Sequence, residues 1–424
     1  MSTSFKWCLK TMTNANNKNS GNLLLYMILT GVVLGVLCGW VFGPKMHAVD
    51  WIGEMFLNAL KMMVIPLVLS SLVVGIAGLG DISKVGKTGV ITLVYFLSTT
   101  AFSVLIGLVV VNLIQPGVGV EMSVAPEAET YLKEARGVTD LFLSFVTPNL
   151  VQSMANMDIL PLIIFSLVFG GVLTTMGERG RSVIDFFDVI NEAVMKIVHL
   201  ILYTAPIGIF ALIASKLGAA GGGDQFVAEL MKIGKFAFTV IFGLLVHGIV
   251  VLPVILMMVT RRNPWKYFQN ALQALTTAFS TASSSATLPV TIECAEEYNR
   301  VSRRTSLFVL PIGATVNMDG TALYESVAAI FIAQMLGVDL TFTQQVIIFL
   351  TASLAAIGAA GIPEAGLVTM VMVLQSVGLP TEGIGMLLAI DWFLDRFRTA
   401  VNVWGDSIGC AVVDELETKY VEGG

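Results

Sequence analysis

The sequence predicts an all-α polytopic membrane protein, and three observations carry that prediction. Of its 424 residues, 55% are hydrophobic and only 13% are charged. Apolar runs recur from residue 23 to about residue 415, and several are long enough to cross a hydrocarbon core as helices. Two later segments are too polar in their middles to span, yet each has apolar arms on both sides. A water-soluble chain of this length would carry far more polar surface. The expected architecture is eight transmembrane helices plus two re-entrant helical hairpins.

The first 22 residues are polar and basic, and the first apolar run, Leu23 to Gly43, is long enough to stay in the membrane as a helix. Further spans are expected near 51–79, 87–113, 141–175, 186–216 and 229–259. Prolines and glycines inside them, as in "YTAPIGIF", are better tolerated in membrane helices than in water. Short basic loops at Lys84/Lys87, Arg179/Arg181, Arg261/Arg262/Lys266 and Arg300/Arg303/Arg304 alternate with loops poor in Lys and Arg. The positive-inside rule places the basic ends in the cytoplasm, the N-terminus with Lys6, Lys10 and Lys18 among them. The expected location is the cell membrane, with both termini cytoplasmic. Cys8, Cys38, Cys294 and Cys410 form no CxxC pair, and His47, His199 and His247 have no ligand spacing. All seven read as packing or interfacial residues.

After residue 260 the texture changes. "ALTTAFSTASSSATLPVTIECAEEY" is flanked by arginines on both sides, so it enters and leaves on one face, with Ser280 to Thr287 as its tip. "AAIGAAGIPEAGLVTM" (355–370) is a second such break. Irregular backbone at membrane depth is permitted only where it lines a cavity or is buried in protein. Two hairpins from opposite sides point to an inverted-repeat transporter with a mid-membrane site; the plainer alternative is two kinked packing helices. Between them a full span is interrupted at Asn317-Met318-Asp319-Gly320, and "FLSTTAF" near Thr99 and Thr100 reads as a third break.

The last span, "DWFLDRFRTAVNVWGD", holds the chemistry. At about 100° per residue, Asp395, Arg398, Asn402 and Asp406 lie at about 40°, −20°, 20° and 60° from Asp391, one narrow polar face. Thr399 lies at its edge, and Arg396 points away. A guanidinium one turn from a carboxylate suits a zwitterion with an extra acid group: Arg398 for the carboxylate, Asp395 for the ammonium. The alternative is an Asp395–Arg398 ion pair that staples helices together. Asp319, in its glycine-containing break, suits a hard cation such as Na⁺, with Thr99 and Thr100 adding hydroxyls or bonding back to their own helix. Glu325 is a buried acid able to carry a proton, or an ion-pair partner for Arg396. Glu364 and Asp391 receive no firm role. A channel would not need an Asp/Arg cradle, and an enzyme lacks a base beside the serine run.

"SSSATLPVT" (283–291), "NMDGTALYE" (317–325), "AAGIPEAG" (359–366) and "DRFRTAVNVWGD" (395–406) resemble motifs of the glutamate/neutral amino acid transporter family. That family includes the excitatory amino acid transporters and prokaryotic glutamate/aspartate symporters, and the resemblance covers nearly the whole chain. It implies a homotrimer of elevator type in the lipid bilayer. Scaffold segments would be 1–86 and 114–228, and transport-domain segments 87–113 and 229–424.

The resemblance further implies uptake of L-glutamate and L- and D-aspartate with Na⁺, no organic cofactor and no nucleic-acid partner. Arg398 and Thr321 would hold the side-chain carboxylate, Asp395 the amino group, and Thr399 and Asn402 the amino acid end. Ser283, Ser284 and the stretch Ile362 to Gly366 would close over it. One sodium site would use Asp406, Asn317 and the Asn402 and Gly313 carbonyls. A second would use Asp319, Thr99, Thr100 and Asn317 with Phe96, which stands where many members have tyrosine. A third would use carbonyls of Thr315, Ala356, Ile357 and Ala359, and Met318 is counted among the sodium ligands. Ala282 stands where some prokaryotic members carry arginine, and the arginine is instead at Arg396. With Glu325, this resembles the proton-coupled, potassium-countertransporting mammalian type. A proton-driven symporter without Na⁺, or a neutral amino acid or dicarboxylate carrier, is the alternative on the same fold.

Overall fold

The computed structural model describes residues 26–27, 30–77, 87–118, 143, 145–156, 159–219, 223–358 and 365–422. Helix α1 (30–42) runs through a 3-10 turn, Gly43–Val49, into α2 (Asp50–Ala77). Then follow α3 (Lys87–Ile114), α4 (Ile159–Thr175), α5 (Glu178–Leu202), α6 (Ala205–Ala219), α7 (Gly223–Leu245) and α8 (Leu252–Thr260). The remainder is α9 (Pro264–Thr281), α10 (Ser284–Glu293), α11 (Arg303–Val316), α12 (Asp319–Met335), α13 (Phe342–Gly358), α14 (Ala365–Ser376) and α15 (Ile384–Glu422).

The stretches Thr30–Phe56, Thr88–Ile114 and Ile233–Thr260 are long and apolar enough to cross a membrane. Helix α3 shows how such a helix is used. Val90, Val94, Leu97, Leu105 and Val109 are exposed, whereas Thr92, Thr99, Thr100 and Ser103 are buried. Apolar groups outside and hydroxyls inside is the arrangement a hydrocarbon solvent imposes. The protein is an all-α polytopic membrane protein.

Several expected spans are re-cut, each for a local reason. The run expected at 141–175 has a short helix, Leu150–Ala155, before α4, because Pro148 interrupts it and the Asn149 side chain accepts from Gln152 N at 3.2 Å to start a new helix. The run expected at 186–216 becomes α5 and α6. Pro206 cannot donate to the Leu202 carbonyl, so the helix restarts on Thr204, whose carbonyl accepts from Ile207 and Gly208. The run at 229–259 carries a π turn at Val246–Val251, next to Pro253. Around Thr99 the expected break is absent: α3 is continuous.

The chain divides into two compact units. One comprises Met1–Lys61, Lys196–Met231 and Ile384–Trp392, the other Met62–Met195, Lys232–Gly383 and Phe393–Gly424. Both draw on discontinuous segments. In the first unit, Gly31 and Gly35 are one turn apart on α1. They lie against the carbonyls of Pro206 and Phe210 on α6, a small-residue approach typical of membrane helices.

The second unit is built around α12, buried continuously from Asp319 to Ala333. Helix α3 lies along it, with Gly107 against Leu323 and Ser326. Phe236 of α7 packs on the rings of Tyr324 and Phe331, at centroid distances of 5.9 and 4.8 Å. Helices α9 and α10 fold back on each other through Ala282, left-handed at φ 50°. Helices α13 and α14 also pack together, tied by Thr351 Oγ1 and Ser376 Oγ at 3.1 Å. At the start of α12, a Cβ on Gly320 would fall on the Arg398 carbonyl oxygen of α15, so only glycine allows the two backbones this approach. Gly320→Ala is therefore expected to destabilise the fold by about 1–3 kcal/mol, read as a lowered melting point in detergent.

Candidate functional site

Asn317 (φ −90°, ψ 87°) and Met318 (φ −114°, ψ 50°) leave helical geometry, so α11 ends and α12 begins inside the second unit. This leaves the carbonyl end of one helix and the amide end of the next facing a shared interior. The partial charges of such termini favour a cation at the first and an anion at the second.

Two fully buried carboxylates stand beside this break. Asp319 Oδ1 accepts from Thr100 Oγ1 at 2.7 Å and from Thr99 Oγ1 at 3.4 Å. Thr99 also donates back to the Phe96 carbonyl at the shorter distance of 3.1 Å, the bond to its own helix that was weighed as the alternative. Asn317 bridges to the second acid: its Nδ2 donates to Asp406 Oδ1 at 2.9 Å and to the Asn402 carbonyl at 3.2 Å. Its Oδ1 lies 3.5 Å from Thr99 Oγ1. Gly313 closes this group, because a Cβ there would press on Asp406 Oδ1 and on the Phe96 ring. The chain thus brings Asp319, Asp406, Asn317, Asn402, Gly313, Phe96, Thr99 and Thr100 into one neighbourhood.

The donors here are carboxylate, amide, hydroxyl and carbonyl oxygens, which suit a hard monovalent cation such as Na⁺. Two buried acids in one neighbourhood also call for positive charge. Met318 fits less well: its thioether accepts from Asn402 Nδ2 at 3.2 Å, and soft sulfur is a poor partner for Na⁺. Met318 can therefore serve only through its backbone. Of the third expected set, Ala356 and Ile357 are buried in α13, while Thr315 is exposed and donates to the Ile312 carbonyl at 3.0 Å. Ala359, Ile362 and Glu364 lie outside the described residues.

Next to the acids, Arg398 Nη2 donates to Asp395 Oδ1 at 2.8 Å, and the guanidinium lies 4.1 Å above the Tyr324 ring. The ion pair weighed as an alternative is thus formed here. Gly366 of α14 sits on the guanidinium, where a Cβ would come within 3.0 Å of Nη1 and 3.4 Å of Thr321 Cγ2. Asn402 Oδ1 accepts from Gly320 N at 2.7 Å, and its Nδ2 reaches Thr321 Oγ1 at 3.5 Å. Thr399 is buried on the same helix. Ser283 caps α10 by accepting from Ala286 N at 3.2 Å, and Ser284 is buried at its first turn.

Arg396, offered above as one possible partner of Glu325, bonds elsewhere. Its Nη1 donates to the carbonyls of Phe279 and Ser280 at 3.0 and 2.8 Å, at the end of α9. The groups acting on buried Glu325 are Thr369 and the guanidinium of Arg398. The two arginines, two residues apart, point to opposite sides because a helix turns about 200° over that interval. Asp391 is buried, as its place on the polar face required.

His247 was read as an isolated packing residue, and the structure corrects that. Its Nε2 lies 2.9 Å from Asp319 Oδ2, both side chains fully buried. The π turn that carries His247 also leaves the Gly248 carbonyl to accept from Trp404 Nε1 at 2.9 Å. No local spacing signals a contact across 72 residues; the proline that ends "VHGIVVLP" was the only cue to an irregular turn. His247→Leu, which leaves the carboxylate without that partner, is expected to cost about 1–3 kcal/mol. The check is thermal unfolding, with partial rescue by His247→Gln.

Comparisons with known proteins find close relatives along nearly the whole chain. Excitatory amino acid transporter 1 of Ambystoma tigrinum is 41% identical over 88% of this chain and 78% of its own length. Excitatory amino acid transporter 3 of Mus musculus is 40% identical over 94% and 86%. The Homo sapiens transporter 3 is 39% identical over 95% and 87%. The model of the sodium:dicarboxylate symporter family matches residues 24–416, and the chain belongs to that family.

Proposed function

We propose that this protein is a secondary active symporter, not an enzyme, that takes up acidic amino acids with Na⁺. The observation that carries this reading is the buried Arg398–Asp395 pair beside Thr321 and Gly366, next to the two-carboxylate, oxygen-lined pocket. A guanidinium and a carboxylate held 2.8 Å apart are complementary to a ligand that carries both a carboxylate and an ammonium. A substrate would exchange the internal pair for two pairs of its own, so neither charge is left unmatched in the loaded or the empty state. L-glutamate and L- and D-aspartate fit that demand; a ligand without an amino group leaves Asp395 unmatched. The names of the relatives point the same way.

In this reading Arg398 and Thr321 hold the side-chain carboxylate, Asp395 the ammonium, and Thr399 and Asn402 the amino acid end. Hairpins α9–α10 and α13–α14 close over the substrate through Ser283, Ser284 and the stretch from Ile362 to Gly366. Sodium binds at Asp406 with Asn317, Asn402 and Gly313, and at Asp319 with Thr99, Thr100, Asn317 and the Phe96 carbonyl. A third ion is held by carbonyls of Thr315, Ala356, Ile357 and Ala359. Glu325 carries the coupled proton, with K⁺ returning in countertransport, and Arg396 acts on this coupling through the α9 end that it caps. The protein works as a homotrimer in the cell membrane, with eight spans, two hairpins and cytoplasmic termini. Its transport segments, 87–113 and 229–424, move as an elevator against scaffold segments 1–86 and 114–228.

Purified protein in liposomes is expected to accumulate labelled aspartate or glutamate against an inward Na⁺ gradient, with alanine competing poorly. Uptake that ignored Na⁺ and collapsed with the pH gradient would instead identify a proton-driven symporter. Arg398→Thr removes a bidentate charged contact and should weaken aspartate binding by at least about 10-fold, since a charge-assisted bond contributes about 1.5–3 kcal/mol. Glu325→Gln should leave substrate exchange intact while abolishing net uptake, measured as the ratio of the two fluxes.

A further inference from the structure

Tyr95, on α3 just before Phe96, has no part in the ligand sets above. It is only 8% exposed. Its ring lies against Gly409 of α15, where a Cβ would come within 2.5 Å of Cε1 and 2.9 Å of Cδ1. It meets the Phe96 ring edge-on, with centroids 5.5 Å apart. Gly409 follows Asp406 by three residues, so the ring is held one helical turn from that carboxylate.

The Tyr95 hydroxyl is buried and has no hydrogen-bond partner among the described residues. Asp319, Tyr267 and Asp406 are the groups that act on it electrostatically. Tyr267 is already engaged: its hydroxyl donates to the Ser407 carbonyl at 2.7 Å and lies 3.3 Å from Ser407 Oγ. A buried hydroxyl left without a partner is a standing cost to stability, and phenylalanine would fill the same ring-shaped space without it. The neighbouring position, Phe96, does so.

We propose that the Tyr95 hydroxyl is a further cation ligand, an oxygen that receives a monovalent cation between the Asp319 and Asp406 carboxylates. A phenol can turn its lone pair to a cation while giving its proton to a carboxylate, so it serves an ion in transit as well as one at rest. The inference rests on the sodium-coupled reading.

The test is Na⁺-dependent thermal stabilisation of the full-length protein in detergent, without substrate, titrating NaCl against choline chloride. Tyr95→Phe is expected to melt no lower than wild type in choline, because it removes only an unpartnered hydroxyl. Its half-saturating Na⁺ concentration is expected to rise roughly three- to tenfold, the worth of one neutral polar contact. Tyr95→Gln, which returns an oxygen, should lie between the two. An unchanged half-saturating concentration in Tyr95→Phe overturns the assignment, and so does a lowered melting point in choline with an unchanged Na⁺ response. A wild type indifferent to Na⁺ would overturn the sodium reading along with it.

Discussion

The constraint on which the rest of this structure depends is the burial of Asp319 and Asp406 in one pocket of a lipid-solvated protein. Carboxylates at membrane depth are costly unless matched by positive charge and hydrogen bonds. Here the hydrogen bonds come from Thr99, Thr100, Asn317 and His247. These side chains hydrogen-bond the acids and leave their negative charge to a cation. That is the demand a cation-coupled carrier has to make: a site stable enough to persist and unsatisfied enough to bind.

Supplying those donors dictates the architecture. The break at Asn317 and Met318 brings an amide side chain between the two acids. The π turn at Val246–Val251 carries His247 onto Asp319. Continuous α3 contributes two threonines on its inward side while its valines and leucines face outward. Glycine then sets the distances, since Gly320 and Gly313 let α15 and Asp406 approach closer than any side chain would permit. Irregular backbone is concentrated where it surrounds polar groups, in keeping with the rule that a bilayer tolerates broken helices only around a lined interior.

The Arg398–Asp395 pair shows the complementary device. Arg398 is fully buried and engaged with Asp395 and Tyr324, so its charge is matched from within the chain. Arg396 shares the helix but caps the end of α9. One arginine is paired within α15 and the other fastens the end of α9 to it, although both belong to the same short motif. The helix's turn of about 200° over two residues separates the roles.

The sequence by itself determined the membrane class, the places of most helices, the turn between α9 and α10 and the polar face of α15. These follow from local quantities: apolar run length, proline and glycine positions, and a period of about 3.6 residues. It also singled out both buried acids and the residues of the Asn317 break, because polar groups inside apolar runs stand out. The tertiary structure alone decided which polar groups meet. His247 joins Asp319, Arg396 turns to the end of α9, and the Tyr95 ring packs between Phe96 and Gly409 with its hydroxyl buried. It also re-cut the runs at 141–175 and 186–216 and kept α3 whole at Thr99. The reason is physical: a helix's period says which residues share a face, but the partner of a buried polar group lies on another helix. Only packing brings the two together.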